Sequence, residues 1–176
     1  NGLNPEGGTR NYNFSTYDSY SNLHKHMRLW RSRKPDWMYF LRAESFYNVA
    51  TKEMEYSGVF SERYHDQSHG QSFFSVLMKQ TNKNGLYLLD EPEAALSCQN
   101  QLALLYLIQS CVKQNCQFII ATHSPILLGF PNAQILSFDE DKVEEVDYKS
   151  TSSYQTMKLF LDRYDYFVED IKENEI

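Results

Sequence analysis

The sequence lacks any apolar run near the about 18–20 residues that a membrane-crossing helix needs, which excludes a helical membrane span. It holds only three cysteines, Cys98, Cys111 and Cys116, an odd count without CxxC spacing. A disulfide framework is therefore not expected, and reduced thiols in a cytoplasmic protein are the plain reading. An excess of positive charge is also missing: the net charge is −6, which argues against nucleic-acid binding through overall charge. The chain opens at Asn1 with neither an initiator methionine nor a charged-then-apolar leader, so it is expected to be a fragment of a longer gene product. Finally, no Gly-x-x-x-x-Gly-Lys-Ser/Thr run occurs, nor any glycine-rich strand-to-helix turn in its place. No stretch of this sequence therefore offers the backbone cradle and lysine that hold the β- and γ-phosphates of a nucleotide.

What is present describes a folded chain. Apolar residues make up 41% and aromatics 15% of 176 residues, enough for one ordinary domain with a core. Residues 1–20, rich in Asn, Gly, Ser and Thr, read as loop. The segment from His24 to Lys34 (HKHMRLWRSRK) carries five Lys/Arg and no acid. It reads as a solvated helix with Leu29 and Trp30 turned inward, a phosphate- or partner-binding face being the other reading. Residues 37–42 (WMYFLR), Leu86 to Leu89, Gln117 to Ala121 (QFIIA) and Gln134 to Phe138 (QILSF) are short apolar runs suited to buried strands.

Between them, Ser97 is placed to cap a helix running to about Asn115, with Leu104, Ile108 and Cys111 on one stripe and Leu105 and Val112 on another. Ser72 to Met78 reads as the first turns of an earlier helix. A last helix is expected over Ser153 to Tyr164, with a short one after it, and the acidic run from Asp139 to Asp147 as a solvated turn. Uniformly apolar runs separated by helices predict an α/β fold: a mostly parallel sheet flanked by helices.

Three polar elements stand out against this pattern. Asp90 and Glu91 close the run Leu86–Leu89, at the strand end where open α/β sheets bind ligands. Neighbouring residues there point different ways, so one carboxylate can face a hydrated Mg²⁺ while the other faces a water. Alone, the pair also fits the acidic start of a helix. His123, in Ala121-Thr122-His123-Ser124-Pro125, follows the next strand after one crossover interval and is expected at the same sheet edge. The third element, Gln67-Ser68-His69-Gly70-Gln71-Ser72, precedes a helix, where backbone N–H groups and a hydroxyl bind anions; an ordinary capping turn fits it as well.

In this order the three resemble the ATP-binding cassette (ABC) ATPases of the P-loop NTPase superfamily. Ser68-His69-Gly70-Gln71 is similar to the family's signature motif, Leu86–Asp90 to its Walker B strand with Glu91 as the catalytic glutamate, Glu93–Ser97 to its D-loop, and His123 to its switch histidine. The wording DEPEAALS and QFIIATHSPILL is closer to stand-alone, SMC-like bacterial ATPases than to transporter subunits. NPEGGTRNYNFST and FLRAESFYNVAT resemble small predicted ATPases of that group. Gln67 and His69 depart from the usual signature, Ser97 stands where many members carry Asp, and the Walker A motif is absent.

The resemblance implies a partial ABC ATPase domain over residues 1–176, in three parts: an N-terminal loop and helical segment (1–65), the motif region (66–138) and a C-terminal helical tail (139–176). It implies ATP and Mg²⁺ as cofactors. Asp90 would hold the metal through water, Glu91 would orient or deprotonate the attacking water and His123 would contact the γ-phosphate. Ser68, Gly70 and Gln71 would contact a partner's nucleotide in an ATP-dependent head-to-tail homodimer. Relatives that work beside a nuclease in phage defence make DNA or a nuclease a candidate partner. Two other readings stand beside it: a non-catalytic scaffold derived from an ATPase, and a metal-dependent nuclease or phosphohydrolase using Asp90, Glu91 and His123 as ligands.

Overall fold

The computed structural model describes residues 25–28, 30, 32, 34–43, 77, 81, 84–138 and 142–173. Two compact units divide the chain, one ending at Thr122 and the other beginning at His123.

The first unit is built on three parallel strands in the order β1 (Trp37–Arg42), β2 (Gly85–Asp90), β3 (Gln117–Ala121). β1 and β2 are the apolar runs of the sequence, and the fully buried Tyr39 and Tyr87 lie opposite each other in the register. In β2 burial alternates: Gly85, Tyr87 and Leu89 face the core, and Leu86, Leu88 and Asp90 are half-buried. Tyr87 stacks on Phe118 of β3 with ring centroids 4.8 Å apart. It also folds over Gly85, where a Cβ would meet the tyrosine ring at 2.6 Å, so only glycine leaves room for the ring at that position.

Asn84 pins the strand starts together. Its side chain donates to Asp36 at 2.9 Å, its carbonyl accepts from the Asp36 N–H, and its own N–H reaches the carbonyl of Gln114. It does so at φ 56°, a left-handed conformation that asparagine tolerates.

Between β2 and β3 run a short 3-10 turn (Pro92–Ala95) and helix α1 (Cys98–Val112). Ser97 caps α1 as expected, its hydroxyl accepting from the N–H of Asn100. Gln101, Leu104, Ile108 and Cys111 form the buried stripe, whereas Leu105 is half-buried and Val112 exposed. Gln101 is buried because its amide donates to the carbonyl of Leu96. The helix ends in a Schellman arrangement with Asn115 at φ 63°: Cys116 N–H bonds to Cys111 carbonyl and Asn115 N–H to Val112 carbonyl. All three cysteines are free. Burial and the neighbouring Cys116 push the Cys111 thiol up to about 11, so it stays protonated and unreactive at neutral pH.

Two expectations fail in this unit. QFIIA is a strand but not a buried one: Gln117, Ile119 and Ala121 are exposed, because β3 is the edge of the described sheet and nothing described covers that face. The described residues of the basic segment form no continuous helix, and Trp30 is 96% exposed rather than turned inward, while Leu29 lies outside the described residues. Few apolar residues among five basic ones give the segment no face that burial could hold, and so short a helix is marginal unaided. The helix expected at Ser72 to Met78 lies outside the described residues except for Leu77, which is helical and buried.

In the second unit, Leu136–Ser137 does not join the parallel sheet that its apolar run suggests. It is strand β4, paired antiparallel with β5 (Glu144–Glu145). A close partner a few residues on can be reached by a hairpin, without the crossover that parallel pairing requires. Part of the acidic run is therefore strand rather than turn. In the same unit lie α2 (Pro125–Leu128), α3 (Ser152–Asp162) and α4 (Tyr164–Glu173). Ser124 caps α2 by accepting from the N–H groups of Ile126 and Leu127, and Thr151 caps α3. The Tyr148 hydroxyl donates to the carbonyl of Pro125, tying the turn before α3 to the start of α2. Among the described residues no helix is long and apolar enough to cross a membrane.

Candidate functional site

The parallel register brings Arg42, Asp90 and Ala121 into one row at the C-terminal edge of the sheet. Asp90 is the last residue of the central strand β2, and its carboxylate lies 3.3 Å from Nε of Arg42, the last residue of β1. The two side chains are 40% (Arg42) and 39% (Asp90) exposed. An ion pair this exposed contributes about 0–1 kcal/mol, too little to keep a divalent cation from the carboxylate.

Glu91 continues the ladder through one atom only: its N–H donates to the carbonyl of Ala121 at 2.9 Å. Its backbone then turns into the left-handed region, φ 47° and ψ 49°. The other non-glycine residues with positive φ among those described are Asn84, Asn115 and Asn132, a residue type that tolerates it. Glutamate lacks that tolerance, and Glu91 precedes a proline, whose ring favours extended backbone in the residue before it. A residue held this way costs on the order of 1–3 kcal/mol, and such residues cluster at functional sites.

The residues after Glu91 fix the turn. Pro92 is buried, Ala94 N–H donates to the Glu91 carbonyl at 3.0 Å, and Leu96 N–H donates to the Glu93 carbonyl. The Thr122 hydroxyl, just past the end of β3, donates to the Glu93 carboxylate at 2.7 Å. The Glu91 side chain itself is exposed.

Of the residues singled out from the sequence, the structure brings Asp90 and Glu91 to the sheet edge. His123 is exposed and is the first residue of the second unit. Ser68, Gly70 and Gln71 lie outside the described residues. Sequence reasoning missed Arg42, the left-handed Glu91 and the Glu93–Thr122 bond. Pro92 directly after Glu91 pointed to extended backbone there, the opposite of what the structure shows.

Among the described residues no three His, Cys, Asp or Glu side chains are grouped to hold a metal. One half-exposed carboxylate at a strand end suits Mg²⁺, which keeps several waters and takes its remaining oxygens from substrate phosphates. Asp90 fits that role.

A parallel sheet flanked by helices, with acids at the C-terminal end of its central strand, is an α/β fold whose strand ends suit ligand binding, an arrangement that P-loop NTPase domains share. Residues 67–128 match the family described as the AAA ATPase domain. An uncharacterized ABC transporter ATP-binding protein of Haemophilus influenzae is 29% identical over 93 residues, which are 52% of this chain and 35% of that relative. The chain thus spans about a third of the length of the curated relative it matches. No solved structure matches it. Both matches relate part of this chain to the AAA/P-loop ATPases.

Proposed function

We propose that this chain supplies the later half of an ABC-type ATP-hydrolysing site, the phosphate-binding loop coming from a segment outside this sequence. The observation that carries the reading is the pair Asp90–Glu91 at the C-terminal end of β2, with Glu91 held left-handed and exposed. The family match over residues 67–128 supports it.

In this reading Asp90 would hold hydrated Mg²⁺, and the ion would supply positive charge against the phosphate oxygens of the nucleotide. Glu91 accepts a hydrogen bond from the attacking water and orients it, or takes its proton. His123 donates to a γ-phosphate oxygen. Ser68, Gly70 and Gln71 act in trans, on the nucleotide of a second copy in a head-to-tail dimer formed around ATP. A cytoplasmic location, where ATP is abundant, belongs to the same proposal. DNA or a nuclease is the proposed kind of partner on which hydrolysis acts.

Asp90→Asn tests the metal assignment. In a protein that also carries the phosphate-binding loop, binding of a fluorescent ATP analogue is titrated with and without Mg²⁺. The variant is expected to lose about 10- to 100-fold of the Mg²⁺-dependent affinity, in the range seen when a metal site's support is removed. An undiminished Mg²⁺ response would take Asp90 out of the site. The second reading, a scaffold that does not hydrolyse ATP, is favoured by the missing Gly-x-x-x-x-Gly-Lys-Ser/Thr run and predicts no Mg²⁺ response even in the wild type.

A further inference from the structure

Glu91 must be kept in its left-handed turn by something, since neither its residue type nor the proline after it favours that backbone. Two main-chain bonds act on the residue itself: Glu91 N–H to Ala121 carbonyl, and Ala94 N–H to Glu91 carbonyl. A further tie joins the loop after Pro92 to the end of β3. That tie is a side-chain one: the Thr122 hydroxyl donates to the Glu93 carboxylate at 2.7 Å, part-buried, across 29 residues of sequence. A hydroxyl bonded to an ionised carboxylate belongs to the stronger class of hydrogen bonds. Shielding from solvent strengthens it further.

The ties bracket Glu91. The Ala121 carbonyl holds it on one side. On the other, Thr122, the residue directly after β3, holds Glu93, two positions past Glu91. Opening the Thr122–Glu93 bond frees the turn to rotate Glu91 toward the extended backbone that a residue before proline prefers. The carboxylate would then leave the place where it meets water.

We propose that Thr122 and Glu93 are positioning residues that hold Glu91 in its left-handed conformation, and so set the rate of the hydrolytic step without touching the nucleotide. The proposal rests on the reading of Glu91 as the residue that orients the attacking water.

Thr122→Val keeps the branched shape and removes the donor. In the protein carrying the phosphate-binding loop, it is expected to lower kcat by about 10- to 100-fold, the effect of a small misplacement, with KM for ATP unchanged. Thr122→Ser, which keeps the hydroxyl, restores kcat. Glu93→Ala reproduces the loss from the acceptor side, and Glu93→Gln, whose amide oxygen still accepts, retains most of the rate, so the proposal stays testable if the valine variant fails to fold. Amide exchange at Ala94 and Leu96 is expected to speed up in Thr122→Val and Glu93→Ala and to return to the wild-type rate in Thr122→Ser.

Wild-type kcat in both Thr122→Val and Glu93→Ala, beside a Glu91→Gln variant that no longer hydrolyses ATP, would overturn the clamp and leave the role of Glu91 standing. Wild-type turnover by Glu91→Gln would overturn both. Loss of kcat with an equal rise in KM, not restored by serine, would reduce the pair to a structural contact and also overturn the proposal.

Discussion

Glu91→Gln, in a protein that carries the phosphate-binding loop, is expected to turn over ATP about 10²–10⁴-fold more slowly, the usual contribution of a positioned proton acceptor. The amide has the same size and reach but cannot take a proton, and it presents donors where the carboxylate presents only acceptors. The backbone is not expected to respond, because the left-handed turn is held by the Glu91 main chain, buried Pro92 and the Thr122–Glu93 bond rather than by the Glu91 side chain. ATP binding should therefore persist, and with hydrolysis blocked the proposed head-to-tail dimer should accumulate. Single-turnover hydrolysis, nucleotide binding and size-exclusion chromatography with ATP read the three consequences separately. Loss of binding together with turnover would mean that the side chain supports the fold of the site rather than its chemistry.

The second large effect concerns stability. Leu104 is completely buried at the middle of the stripe Gln101, Leu104, Ile108, Cys111 on α1. Leu104→Ala strips the branched end of the side chain from that stripe and leaves a void, costing about 2–5 kcal/mol. For a chain of this size each kcal/mol lowers Tm by roughly 2–4 °C, which places the expected loss within easy reach of a thermal melt. Leu102 on the same helix is 49% exposed, and Leu102→Ala should stay within about 0.5 kcal/mol of the wild type. Equal shifts in the two variants would contradict the assignment of the buried face.

The buried stripe that holds Leu104 was legible in the sequence, because helical spacing and a serine cap are local signals. So were strands β1 and β2, whose apolar runs between polar breaks suit a sheet interior, and the placing of Asp90–Glu91 at a strand end. The exposure of β3 was not. Gln-Phe-Ile-Ile-Ala has the composition of a buried strand, and composition cannot say whether a neighbouring strand or helix is there to cover it. Leu136–Ser137 misled for a related reason: a short apolar stretch pairs with whichever strand comes within reach, here an antiparallel one.

At the site, the residue types were readable and the contacts were not. Arg42 reaches Asp90 only because β1 and β2 run in a register that ends both strands in the same row. Thr122 and Glu93 meet across 29 residues, and nothing in the sequence around either marks them as partners. The left-handed backbone of Glu91 is bonded to Ala94 locally and to the Ala121 carbonyl at the end of β3, and the second bond exists only once the sheet has formed.

A chain that completes an ATP-hydrolysing site, with the phosphate-binding loop outside its sequence, should be inert alone and active once that loop is joined to it. The most direct measurement is ATP binding and hydrolysis with Mg²⁺, comparing this chain alone with a chain that includes the phosphate-binding segment. Negligible activity is expected from the first and turnover from the second. Silence in both would contradict the proposed function and leave a scaffold built on an ATPase fold.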